Sequence, residues 1–141
     1  MEGLIGHRSL SLEIALAILA RVRNEAAARE LALAGAVVDD GGHVLASQRM
    51  NGAALGAMQL AAGKAYTSVL WATPTGEFMQ STQPGGDDWG WNTTDRQIVV
   101  YAGGVPLHVD GELVGGVGAS GATGAQDEEC VLAAVRALGF D

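Results

Sequence analysis

The sequence predicts an antiparallel α+β protein with five strands, in the element order α-ββ-αα-βββ-α. Three observations carry that expectation. Apolar residues recur at helical spacing near the start and again at the end of the chain. Short β-branched runs are joined by Asp-Gly turns. An Ala-rich stretch sits between the two sets of strands. Strands linked by hairpins, with helices grouped between them, indicate an antiparallel sheet with packed helices.

Ser9 or Ser11 offers an N-cap for the first helix, and Glu13 in the first turn suits the helix dipole. Leu12, Ala15, Leu16, Leu19, Val22 and Ala26 form its apolar stripe as far as about Arg29. Residues 33–38 and 43–49 read as two strands around Asp39-Asp40-Gly41-Gly42, a hairpin turn. Residues 55–71 read as the second helix. Pro74 ends it, because proline has no N–H to donate. Thr73 or Thr75 caps a short further helix through Met79. Residues 97–101 read as the third strand, 105–109 as the fourth and 112–119 as the fifth, with Asp110-Gly111 turning between the last two. Thr123 and Gln126 make a capping box for the last helix.

A chain of 141 residues is expected to form one domain over 1–141. It is 48% hydrophobic and 17% charged, a composition that buries a core rather than staying disordered. Eight Lys+Arg stand against sixteen Asp+Glu, a net charge of −8. Phosphate backbones and anionic bilayers are gripped by clustered cations, so nucleic acid and membrane are excluded as partners. The first strongly apolar stretch, residues 14–20, is far shorter than the ~20 residues a spanning helix needs. No positively charged leader precedes it, and the expectation is a cytoplasmic protein. The single cysteine, Cys130, forms no internal disulfide and falls on an apolar helix face.

Gly116-x-Gly118-x-x-Gly121 matches the dinucleotide fingerprint in letters only. That fingerprint needs a βαβ unit and an acidic residue ~20 positions further on. Here small residues instead let the last helix pack closely on the sheet. The free amides at the start of that helix could still receive an anion. His7, His43 and His108 have no metal-ligand spacing, so no metal site is expected.

Three groups remain as candidates for chemistry. Asp39 and His43 flank the first hairpin turn. The turn alone explains the Asp and Gly residues there, and a pocket at the sheet end would use both side chains. Lys64 is the only lysine and sits within the Ala-rich helix. It is either a solvated helix residue or a point charge for an anionic ligand. In the second case Lys64→Met weakens binding with little change in melting temperature. Trp89 and Trp91 lie in a polar loop, where they cover a cavity, an interface or a flat ligand. Together with the apolar, Gly- and Ala-rich composition they predict a homo-oligomer. Asp95 and Arg96 close the same loop. If the protein is an enzyme, its expected chemistry is metal-independent acid–base catalysis of an isomerase, lyase or hydrolase kind. His43 is then the proton shuttle, Asp39 its orienting carboxylate, and Arg96 the clamp on a substrate carboxylate.

Several segments taken together resemble one family. They are Val37-Val38-Asp39-Asp40-Gly41-Gly42-His43, Arg49-Met50-Asn51-Gly52-Ala53, Gly63-Lys64-Ala65-Tyr66-Thr67, Pro74-Thr75, Gln83-Pro84-Gly85-Gly86, Gly103-Gly104-Val105-Pro106-Leu107 and Gly116-Val117-Gly118-Ala119-Ser120-Gly121. In that order they resemble the GlcG/HbpS family, which includes the C-terminal domain of PduO-type corrinoid adenosyltransferases. The resemblance spans about residues 9–140. It implies a five-stranded antiparallel sheet flanked by helices on both sides, similar in layout to profilin. It also implies a homo-oligomer that binds a small ligand, with haem or a similar planar molecule as the leading candidate. Lys64, Arg96, Asp95, Trp89, Trp91 and Tyr66 are the expected ligand-binding residues. His43, Met50, Met58 and Tyr66 are the available axial donors. Two positions depart from the family pattern: Asn51 stands where an Asp is usual, and Gln59 replaces an acidic residue. Both changes remove negative charge.

Overall fold

Ser11 starts the first helix, its hydroxyl accepting the Ile14 amide at 3.3 Å. In the computed structural model, which describes residues 1–140, this helix (α1) spans Leu12–Ala28. Its inward face is Ala15, Ile18, Leu19, Val22 and Ala26. Leu12 and Leu16, expected in the apolar stripe, lie exposed, and Ile18 takes the central buried position.

The Asp-Asp-Gly-Gly turn joins strands β1 (Ala34–Asp39) and β2 (Val44–Arg49), which pair antiparallel from Ala34↔Arg49 to Val38↔Val44. Helix α2 follows over Ala57–Leu70. Strand β3 spans Gly104–Val109, β4 spans Glu112–Ser120, and helix α3 spans Gly124–Ala137. Thr123 and Gln126 form the expected reciprocal capping box of α3. β1 pairs with β4, and β4 with β3, both antiparallel. Among the described residues the sheet has four strands in the order β2-β1-β4-β3.

Alternation along the central strands assigns the two faces. Val37, Val117 and Ala119 join Ile18, Leu19, Val22, Val131 and Val135 in the core beneath α1 and α3. Ala34 and Val38 point the other way, to Ala57, Ala61, Ala65 and Val69 of α2. β1 is therefore covered on both faces, and this explains its unbroken small-apolar sequence.

The expected five-stranded sheet is corrected to four strands, because residues 97–101 form no strand. Their β-branched composition suggests one, but tertiary contacts override it. The Gln97 amide donates to Asp95 Oδ1 and the Ile98 amide to the Asp95 carbonyl, closing a turn. The Val99 amide donates to Thr67 Oγ1 on α2 at 2.9 Å. Three successive amides are thus engaged away from any ladder. The short helix expected after Pro74 is a single 3₁₀ turn, Thr75–Phe78. Thr75 does not cap it. Its hydroxyl donates to the Tyr101 carbonyl and accepts the Gly104 amide, pinning the entry to β3.

The close-packing reading of the glycine motif holds, but for a different helix. A Cβ on Gly118 would lie 2.2 Å from the Ala61 carbonyl oxygen and 2.6 Å from the Ala65 nitrogen. One on Gly116 would meet Ser68 Oγ at 2.6 Å. These glycines admit α2, not α3.

Candidate functional site

A cleft of about 310 Å³ opens between the β1–β2 turn, α2 and the Arg96–Gln97 segment. Two glycines shape it. Gly42 has φ +84°, a conformation the turn requires, and a Cβ there would stand 3.1 Å from the Tyr66 ring. The turn backbone therefore rests against that ring. At Gly63 a Cβ would lie 2.4 Å from Val99 Cγ2, so glycine lets the 97–99 segment approach the helix. Gln59, Ala62 and Tyr66 line the helix side, and Val44 the sheet edge.

The polar chemistry of this cleft centres on Tyr66. Its hydroxyl donates to Asp95 Oδ2 at 2.6 Å. That bond, with the Gln97 amide on the other oxygen, holds the Asp95 carboxyl below its ordinary range, against the opposing effect of burial. The same bond, then burial, then the Asp95 charge push the Tyr66 phenol above its ordinary value. At neutral pH the pair is a phenol held by a carboxylate. Arg96 lies exposed at the cleft, with no ion pair to any described residue. A cation at the rim beside a fixed phenol and an aromatic edge suits a flat anionic molecule.

Asp39 and His43 stand at the same turn. Asp39 Oδ1 accepts the amides of Gly41 and His43, both at 2.9 Å, and lies 3.3 Å from His43 Nδ1. One oxygen thus organises the turn and faces the imidazole. The His43 side chain is 83% exposed, between the cleft-lining residues Gly42 and Val44.

The other expected residues lie apart. Trp91 packs edge-on to Trp71, with centroids 5.7 Å apart, and against Phe78 at 5.1 Å. These rings and Asp88 line a separate cleft of about 160 Å³. Trp89 is 65% exposed. Gln59, one of the two departures from the family pattern, lines the first cleft, whereas Asn51 lies exposed in the turn after β2.

Lys64 is not a solvated helix residue: it is 2% exposed. Its ammonium donates to Asp127 Oδ2 and to the Ala119 carbonyl, both at 2.9 Å. Asp127 Oδ1 accepts the Ala122 amide at 3.0 Å. Sequence reasoning missed Asp127, an acidic residue in the first turn of α3. The available signal was a single lysine in an otherwise uncharged stretch, which needs a counter-ion if its helix is buried. Gly103 makes room for the pair, since a Cβ there would lie 2.9 Å from the ammonium.

The fold and cleft define a small α+β protein with a ligand-sized recess at the turn end of its sheet. Comparison with known proteins places it further. A family model described as "Haem degrading protein HbpS-like" matches residues 10–136, and the chain belongs to this HbpS-like family. It is 39% identical over 92 residues to an uncharacterized 15.0 kDa protein encoded between dhaT and dhaS in Citrobacter freundii, covering 64% of this chain and 65% of that protein. It is 37% identical over 111 residues to protein GlcG of Escherichia coli K12, covering 79% of this chain and 81% of GlcG. The crystal structure of a PduOC:haem complex superposes with a TM-score of 0.89 at 29% identity, covering 94% of this chain and 97% of that one. Among the described residues no helix is long and apolar enough to cross a membrane.

Proposed function

We propose that this chain binds a planar, anionic small molecule in the cleft beside Tyr66, with haem as the leading candidate. The carrying observation is the juxtaposition of the Tyr66–Asp95 pair with the exposed Arg96 guanidinium on a glycine-shaped recess. The haem-bound PduOC neighbour and the family description support the choice of ligand. The residues present suit such a group. Arg96 would hold a propionate, and His43 offers an axial donor, while the Tyr66 phenol stays committed to Asp95. Haem, when bound, would supply a redox-active iron. Lys64 takes no part in this proposal, because Asp127 already neutralises its charge.

Titration with haemin, followed by absorption, tests this reading. A Soret band that saturates at a fixed stoichiometry is expected. Arg96→Ala should weaken binding about tenfold, or about 1.4 kcal/mol, and His43→Ala or Tyr66→Phe should shift the band. Absence of a saturable band, or a band unchanged in all three variants, overturns the proposal.

A second reading rests on the two proton-bearing pairs at the same recess, His43–Asp39 and Tyr66–Asp95. It is metal-independent acid–base catalysis on a small anionic metabolite, with Arg96 as the anion clamp. Activity that vanished with a chelator and returned with one divalent metal would exclude it, as would full activity in His43→Ala. We also infer self-association from the exposed apolar residues Val44, Leu55, Leu70, Trp71 and Trp89. Light scattering that gave the monomer mass at micromolar concentration would reject this.

A further inference from the structure

We propose a second site, for a quaternary ammonium cation, in the aromatic cleft of about 160 Å³ lined by Trp71, Phe78, Asp88 and Trp91. It goes beyond the reading of the first cleft, shares no lining residue with it and takes a ligand of opposite charge.

The rings arrive from three places in the chain. Trp71 ends α2, Phe78 closes the 3₁₀ turn after Pro74, and Trp91 opens a second 3₁₀ turn, Trp91–Thr93. The whole chain has three Trp, two Tyr and two Phe, so much of its aromatic surface is spent here. Main-chain bonds fix the loop that carries Asp88 and Trp91. The Asp88 amide donates to the Ser81 carbonyl at 3.0 Å, and the Trp91 amide to the Asp88 carbonyl at 2.9 Å. Gly90, with φ +84°, supplies the left-handed residue that this turn needs. Carboxylate and indole are therefore presented together.

Ring geometry favours a cation. Trp91 stands at 70° to Trp71 and at 53° to Phe78, so the rings are not stacked. In an edge-on pair one ring keeps both π faces clear of its partner. Those faces are negative, and they attract a cation within about 6 Å of the ring centre. The rings are not a core plug either, since Trp71 is 57% exposed. Aromatic surface left in water around a recess marks a binding site.

Charge and donor count narrow the class. Asp88 lies exposed and forms no ion pair with any described residue. No cationic residue lines the cleft to offset it. The net charge of −8 also draws cations toward the surface. A primary ammonium brings three N–H donors, and the wall offers them one carboxylate among three rings. A quaternary ammonium has no N–H to satisfy. It places methyl groups against the rings and keeps its charge beside Asp88. At about 30 Å³ per water the space equals roughly five waters, the size of a trimethylammonium head.

The test is an NMR titration of the full chain with choline chloride, read at the indole N–H signals of Trp71 and Trp91. Two controls run beside it: 3,3-dimethylbutan-1-ol, which has the same shape without the charge, and sodium chloride at matched ionic strength. Saturable shifts with choline are expected, with binding of the neutral alcohol weaker by about tenfold or more. Trp71→Leu should weaken choline binding about tenfold. Asp88→Asn keeps the main-chain bonds of the loop and should weaken it about threefold, as for an exposed ion pair. Circular dichroism checks that both variants are folded, and if Trp71→Leu is not, Asp88→Asn decides. Trp71 also belongs to the surface assigned above to self-association, so the proposal requires the assembled protein to leave this ring open. No saturation with choline, equal affinity for the neutral alcohol, or wild-type affinity in a folded variant overturns the proposal.

Discussion

Replacing Lys64 with methionine tests the buried ion pair most directly. The substitution keeps a long unbranched side chain and deletes the ammonium. It leaves the Asp127 carboxylate nearly inaccessible to water, with only the Ala122 amide as partner, and leaves the Ala119 carbonyl without its side-chain donor. Removing one partner of a buried pair costs about 3–5 kcal/mol. Domains have only about 5–15 kcal/mol in total. For a chain of this size a loss of that order lowers the melting temperature by roughly 6–20 °C. This replaces the expectation from sequence that Lys64→Met leaves melting unchanged. Urea unfolding followed by tryptophan fluorescence gives the free-energy difference. The double variant Lys64→Met/Asp127→Asn removes the stranded charge and keeps an acceptor for the Ala122 amide, so it should recover about 2 kcal/mol. A single variant within about 1 kcal/mol of wild type, or a double variant no better than the single, refutes the reasoning.

Gly118→Ala should destabilise by about 3 kcal/mol or more, since its methyl meets α2 backbone that has no rotamer to yield. Gly56→Ala, in open space with φ −73°, should be neutral or stabilising by up to about 1 kcal/mol in the same denaturation assay. The Asp95 carboxyl is depressed in the folded state, so its contribution is present at neutral pH and is lost as pH falls through its lowered value. An acid-denaturation profile should be flatter in Asp95→Asn. The Tyr66 phenol is raised, so its contribution is present below the ordinary phenol range and is lost only as pH rises through the higher folded value. Alkaline absorbance titration should lose its late-ionising component in Tyr66→Phe. Burial raises the Cys130 thiol, so a thiol reagent should leave the native protein unmodified and label one equivalent after unfolding.

Elements governed by neighbours in sequence were legible. Ser11, the Asp39–Gly42 turn and the Thr123–Gln126 box are local hydrogen-bond devices, and each stands where its residues predict. The face assignment of α1 was less so, because exposed leucines imitate the buried stripe. The misread segment 97–101 has strand-forming residues, but its amides answer to Asp95 and to Thr67, 32 positions away from Val99. The site shows the same division. Tyr66, Asp95 and Arg96 were each recognisable, but the Tyr66–Asp95 bond spans 29 positions and follows from no spacing rule. Lys64 and Asp127 are 63 apart, and only the packing of α2 and α3 against β4 from its two faces brings them together.

The glycines of β4 have a consequence for how proteins built this way can diverge. Helix α2 is seated on the strand main chain against main chain, with little side-chain volume between them. Its anchoring depends on what is missing from the strand rather than on a jigsaw of large residues. One face of the helix, carrying Gln59, Ala62 and Tyr66, and another, carrying Leu60, are then left out of the joint. Substitutions there leave the joint undisturbed, so the same seat can present a succession of different recesses to different molecules.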